Sequence, residues 1–244
     1  FLSDVHFGYI DKAIEGGQGI YWKRKKSVLV MLSSNFGKII TMFIAVLAGL
    51  ASPFRASHIL WVNSITDSLP GLALGVDEND NKMLMRRRPR NPKESLFAHG
   101  GMACVLFYGI LIAAISLTAF ILPSLTYIRT SGWDLNLENL RTVLMDADIL
   151  IRSQTYAFTV LGLAELFHAV GMRNVEKSVF KMDHMQNKLM IAAFFIGIVL
   201  QVAVTEIPYL VTMFETVQLS LMEWFGLGLL ASAPLLAHEL LILA

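Results

Sequence analysis

Cysteine occurs once in the 244 residues, as Cys104 inside an apolar run, so no internal disulfide can form and the redox compartment stays undetermined. Charge is scarce too: Asp, Glu, Lys and Arg together make 16% of the chain, against 55% hydrophobic residues, and mean hydropathy is +0.57. An ordinary soluble domain carries about a quarter charged residues, so this composition points away from that class. The formal net charge is +1, and the basic residues gather in clusters between apolar segments. That argues against a nucleic-acid binder, which needs a continuous basic face. The chain also lacks a Gly-rich phosphate loop, a Ser/His/Asp arrangement and a Cys/His metal box. By itself it is expected to do no covalent chemistry, and no catalytic or cofactor-binding residue is assigned in it. It opens on Phe1 with neither a start Met nor a basic-then-apolar leader, from which it reads as a fragment.

Long apolar runs are what the sequence does have. Six can be drawn, at about 28–51, 57–76, 96–122, 151–171, 189–207 and 219–244, each near the ~20 residues that a helix needs to cross a bilayer. The reading is an all-α membrane protein, a six-span helical bundle at 28–244 behind a lead-in segment at 1–27. Six spans put both termini on one side. Lys23, Arg24, Lys25 and Lys26 precede the first run, Lys82, Arg86, Arg87, Arg88, Arg90 and Lys93 follow the second, and Arg173, Lys177, Lys181 and Lys188 follow the fourth. Positive charge concentrates on the cytoplasmic side, so these three regions and both termini are expected there. The long connection 123–150, with Asp134, Glu138, Asp146 and Asp148 against Arg129 and Arg141, should face outward. The lead-in reads as a helix or hairpin broken near Gly16, Gly17 and Gly19, and Trp61, Tyr127, Trp133, Tyr209 and Trp224 as interfacial anchors.

A charge inside hydrocarbon costs about 2.5–3.5 kcal/mol on insertion scales, so each needs a partner or a function. Three stand out: Lys38, Asp67 and Glu165. Asn35 and Lys38 share a helix face in the first run, and Asn63, Thr66 and Asp67 stand at i, i+3 and i+4 in the second. Pro70 cannot bond the Thr66 carbonyl, and Gly71 after it makes local unwinding cheap, a device by which transporters expose carbonyls to ions. Amide, hydroxyl and carboxylate oxygens are hard ligands that suit calcium, and they would also serve sodium or a proton relay. The plainer reading of Asn35, Asn63, Thr66 and Asp67 is helix cross-linking by hydrogen bonds. For Lys38 and Glu165 a structural ion pair is the stronger expectation. His168 reads as a bundle hydrogen-bonder, Gln201 and Thr205 as packing residues, and His58, His238 and Glu239 as snorkelling groups near span ends.

Several stretches carry a resemblance. They are Asp4-Val-His-Phe, Ala13-Ile-Glu-Gly, Gly19-Ile-Tyr, Ser33-Ser-Asn-Phe-Gly, then Leu60-Trp-Val-Asn-Ser-Ile-Thr-Asp-Ser-Leu-Pro-Gly-Leu-Ala-Leu-Gly, and finally Met85, Arg86 and Pro89-Arg-Asn-Pro-Lys-Glu. In this order they resemble type II P-type ATPases of the sarcoplasmic-reticulum and bacterial calcium kind, over nearly the whole chain. The resemblance implies the last six of ten spans, with the first four spans and the ATP-using domains outside this sequence. Calcium would be the transported ion, with Mg2+ and ATP acting only through those missing domains. Partners would be the lipid bilayer, that of the plasma membrane, and the rest of the same pump; no obligatory subunit is inferred. Carried over position by position, Asn63 and Asp67 match ligands of a calcium site completed by an earlier span. Asn35, Thr66 and Glu165 match ligands of a second site, to which Asp67 also contributes.

Lys38 departs from the pattern, because two-site calcium pumps resemble one another in having a glutamate there. At ~4 Å and an effective dielectric near 20, repulsion between lysine and calcium is of order 8 kcal/mol. The expectation is that the Lys38 ammonium fills the second site, pairs with Glu165 and Asp67, and leaves one ion moved per cycle. Manganese, a monovalent-cation or proton pump, and a non-enzymatic membrane scaffold are the competing readings.

Overall fold

The computed structural model describes residues 7–77 and 95–243. The basic cluster from Lys82 to Lys93 and the motif ending at Glu94 lie outside the described residues. Everything described is helix, turn or loop, as the apolar runs predict.

Helix α1, Phe7–Leu47, contains 41 residues and is therefore roughly 60 Å long, about twice a bilayer's hydrocarbon thickness. The break expected near Gly16, Gly17 and Gly19 is absent. A helix-interior glycine costs only about 1 kcal/mol against alanine, and the good helix formers around these three carry the helix through. Next comes a broken element: α2, Ala56–Trp61, a single π turn, Val62–Thr66, and α3, Ser68–Gly75. The π turn is closed by Asp67 N–H donating to Val62 O at 2.9 Å. Pro70 sits inside α3 and offers no N–H to Thr66 O, whereas Gly71 N–H donates to Asp67 O at 3.1 Å.

Helix α4, Gly101–Thr130, starts later and ends later than the run at 96–122, with Pro123 inside it. Its hairpin onward holds α5, Leu137–Val143, and is tied to the end of α1 by Arg141 Nε donating to Ala48 O at 2.8 Å. Gly49, at φ +66°, lies against that guanidinium, where a Cβ would sit 3.0 Å from Nε. Helix α6, Ala147–Gly171, is capped by Asp146 and buried on nearly every side from Ser153 to Ala169. Then come α7, Lys188–Glu206, the short α8, Pro208–Phe214, and α9 and α10, Leu221–Ala231 and Ala233–Leu243.

Helix α6 is the axis around which the others pack. Between α1 and α4 the backbones approach closely: a Cβ on Gly109 would lie 2.7 Å from the Phe36 ring, and one on Gly37 would lie 2.9 Å from Ile112. Small residues at such crossings are how membrane helices gain contact where lipid removes the hydrophobic drive.

Among the described residues four stretches are long and apolar enough to cross a membrane: Gly8–Leu47, Gly101–Thr130, Lys188–Glu206 and Leu221–Leu243. The other two expected spans fall on the broken α2–π–α3 element and on α6, which carries Arg152, Gln154, Glu165 and His168 along its length. Three residues expected to snorkel do something else. His58 is fully buried, stacked on Phe158 at 4.4 Å with Nε2 2.8 Å from Phe214 O, and buried His238 lies 3.2 Å from Lys177 O. Glu239 accepts from Ser178 Oγ at 2.7 Å and Val179 N–H at 2.6 Å. In each case a backbone group or hydroxyl of another segment supplies the polar partner.

Candidate cation site

The six residues singled out in the sequence come from three elements and meet at one point. From α1, Lys38 extends its ammonium between the π turn and α6. Its Nζ donates to Asn63 Oδ1 at 2.5 Å, to Asp67 Oδ2 at 2.8 Å and to Asn35 Oδ1 at 3.2 Å, and lies 3.2 Å from Glu165 Oε1. Side-chain exposures of 5% for Lys38, 2% for Asp67 and 1% for Glu165 place all three charges out of solvent. One cation thus faces two carboxylates and two amide oxygens.

Helical spacing does the positioning. Lys38 follows Asn35 by three residues on α1, so both point into the same groove. On the broken element the π turn widens the helix by one residue and brings Asn63 and Asp67 toward Lys38. Thr66 faces the other way, to α6, where its Oγ1 stands 3.0 Å from Glu165 Oε2 and 3.0 Å from Val62 O. Ser34 completes the cage by donating its hydroxyl to Glu165 Oε1. Sequence reasoning did not assign Ser34, although it stands four residues before Lys38 on the same face and so was within reach of the helical period.

Two features leave the cage open to a further ligand. Asp67 Oδ1 is buried with no hydrogen-bond partner, while its other oxygen is held by Lys38. Asn63, although bonded to Lys38, is exposed at the side of the bundle, flanked by exposed Ile39 and Leu60. His168 takes no part: it is buried and packs on Tyr108 with ring centroids 4.2 Å apart. Among the described residues no group of three or more His, Cys, Asp and Glu is arranged to hold a metal.

The family described as cation transporting ATPase, C-terminus, matches residues 51–244. The chain belongs to the cation-transporting ATPases. Among its relatives, the calcium-transporting ATPase 1 of Bacillus cereus is 42% identical over 243 residues, covering 100% of this chain and 27% of its own length. The calcium-transporting ATPase of Bacillus subtilis is 36% identical over 98% of this chain, and the human calcium-transporting ATPase type 2C member 1 is 31% identical over 97%. The chain spans about a quarter of the length of those relatives, 27%, 25% and 24% respectively. The matched region contains the whole π-turn element, Glu165 and Gln201, whereas Asn35 and Lys38 precede residue 51.

Proposed function

We propose that this chain is the membrane portion of an ATP-driven pump that exports calcium, one ion per cycle, because Lys38 occupies the second cation position. It crosses the membrane six times, with α2–π–α3 and α6 as the two polar spans and both termini in the cytoplasm. The plasma membrane is the proposed location. Phosphorylation and hydrolysis, with Mg2+ and ATP, belong to domains outside this chain.

One observation carries the proposal: the Lys38 ammonium sits among Asn35, Asn63, Asp67 and Glu165, where it pairs with two buried carboxyl groups. A fixed cation there repels a divalent ion by several kcal/mol, so that position is filled for good. What remains for a transported ion is the unpaired Asp67 Oδ1 and the Thr66 carbonyl released by Pro70, beside Asn63, whose Oδ1 accepts from Lys38. These are hard oxygens of the kind calcium takes. The exposed flank around Asn63 is where an earlier span of the pump would supply the other ligands. The relatives' names support calcium as the cargo.

The test is equilibrium calcium-45 binding to the complete pump, wild type beside Lys38→Glu, with Asp67→Asn as the control for lost sites. One ion in wild type, more in Lys38→Glu and none in Asp67→Asn is the expected result. Two ions in wild type would overturn the role of Lys38. No calcium in wild type would move the assignment to a monovalent cation or proton.

A further inference from the structure

Behind the Thr66–Glu165 hydrogen bond lies a polar group that the sequence assigns to helix packing and the fold does not use that way. Gln201, on α7, is fully buried, and neither its Oε1 nor its Nε2 has a hydrogen-bond partner. A buried carboxamide without partners is rare and calls for an explanation, because both of its polar ends have lost water and gained nothing. Its surroundings are specific. A Cβ on Gly162 would lie 2.9 Å from Gln201 Oε1 and 3.7 Å from Thr66 Cγ2. Glycine at 162 therefore leaves open the space into which the Gln201 amide and the methyl side of Thr66 converge.

Thr66 has one hydroxyl hydrogen and two acceptors at 3.0 Å, Val62 O and Glu165 Oε2. In a helix threonine divides between two rotamers, since its hydroxyl can bond the preceding turn from either. A turn about χ1 exchanges methyl and hydroxyl, which would carry the hydroxyl from the Glu165 side toward Gln201. We propose that Gln201 is a positioning residue that offers Thr66 a second hydrogen-bonding partner, so that the Thr66 hydroxyl alternates between Glu165 and the Gln201 carboxamide as the pump cycles. The inference rests on the reading of this chain as a pump. In the arrangement described, the hydroxyl holds Glu165 and Gln201 goes unpaired. In the alternate arrangement one end of the Gln201 amide gains a partner and Glu165 is freed from Thr66. Two arrangements of one buried cluster, each pairing a group that the other leaves bare, form a two-state element that transport can bias.

The experiment is calcium-dependent ATP hydrolysis by the complete pump, comparing Gln201→Met in wild-type and in Thr66→Val backgrounds. Methionine keeps the volume and removes the amide. Losing one hydrogen bond in the alternate state is expected to lower maximal turnover about two- to tenfold, with half-saturating calcium moved less than twofold. In Thr66→Val, which has no hydroxyl to hand over, Gln201→Met is expected to change nothing further. Gly162→Ala, whose Cβ would crowd the Gln201 oxygen, should give the same signature should Gln201→Met not accumulate. Equal losses in both backgrounds would mean a packing defect and overturn the proposal, and so would unchanged turnover in the wild-type background. Asp67→Asn, run in parallel, separates the two readings: calcium stimulation that survives it would sink the cation-site assignment, whatever Gln201 does.

Discussion

Lys38 has three N–H donors and four oxygen neighbours within 3.2 Å, so the cage holds one more acceptor than the ammonium can serve at once. The surplus is tolerable because two of the four acceptors are charged, and a carboxylate gains from the ammonium's field without a donor aimed at it. Removing the charge should be severe. Lys38→Gln leaves Asp67 and Glu165 buried without a counter-charge, and breaking such a pair typically costs about 3–5 kcal/mol. The expected outcome is a marked fall in the melting temperature of the detergent-solubilised complete pump. Because the emptied cage can then admit a second divalent ion, added calcium should raise that temperature more in Lys38→Gln than in wild type. A variant that melts like wild type in calcium-free buffer would show that the Lys38 charge is not needed to hold the two acids in the cage.

The elements show how far the sequence could be read. Lys38, Asp67 and Glu165 were legible because each interrupts an apolar run, and a charge there has few explanations. Asn35, Asn63 and Thr66 followed from helical spacing and the resemblance. The π turn was not legible. Val62-Asn-Ser-Ile-Thr contains nothing that forbids an ordinary helix, and Pro70 with Gly71 announced a local loosening without saying that it would take the form of a π turn. Nor were the helix ends: α1 runs through three glycines, carried by the helix formers around them, and α4 passes Pro123, because single-residue propensity is a weak prior. Pro70 was informative because a missing N–H is a covalent fact. Pro70→Ala restores a donor for Thr66 O, and the expected effect is a rise of about tenfold in half-saturating calcium as that carbonyl is withdrawn, about 1.4 kcal/mol; a calcium-45 titration measures it. Glycines separate by their surroundings. Gly109→Val puts atoms 2.7 Å from Phe36 and should destabilise by about 1–3 kcal/mol. Gly16, with nothing within 4 Å of a Cβ, should gain about 0.5–1 kcal/mol on substitution by Ala. Thermal unfolding of the two variants side by side tests the contrast.

At the scale of the whole molecule, the cation cage is one of several polar ties between elements far apart in sequence. At the ends of α3 and α6, Arg173 Nη2 lies 3.0 Å from Asp77 Oδ1, and Asn187 Nδ2 donates to that same oxygen at 3.0 Å and to Ala73 O at 2.9 Å. Lys26 from α1 donates to Arg173 O. Four segments are thereby fastened at the point where the chain enters its basic connection. Arg173→Met strands the Asp77 carboxylate and is expected to lower the melting temperature of the complete pump. Adding Asp77→Leu should recover much of the loss, as replacing both members of a buried pair by apolar groups often does. A double variant no more stable than Arg173→Met would show that the tie does more than neutralise charge.

Helix α6, walled in on nearly every side and carrying Arg152, Gln154, Glu165 and His168, has a consequence for how the protein is made. On the six-span reading it must enter hydrocarbon, yet its own composition is a poor ticket into the bilayer. The ribosome delivers α4 before it and α7 after it, both apolar enough to insert by themselves. Ser34, Lys38 and Thr66 are made before α6, so its glutamate would enter the bilayer beside partners already in place. The ion cage would thus be an assembly checkpoint as well, and variants that disarm it should be seen first as protein degraded before it ever reaches its membrane.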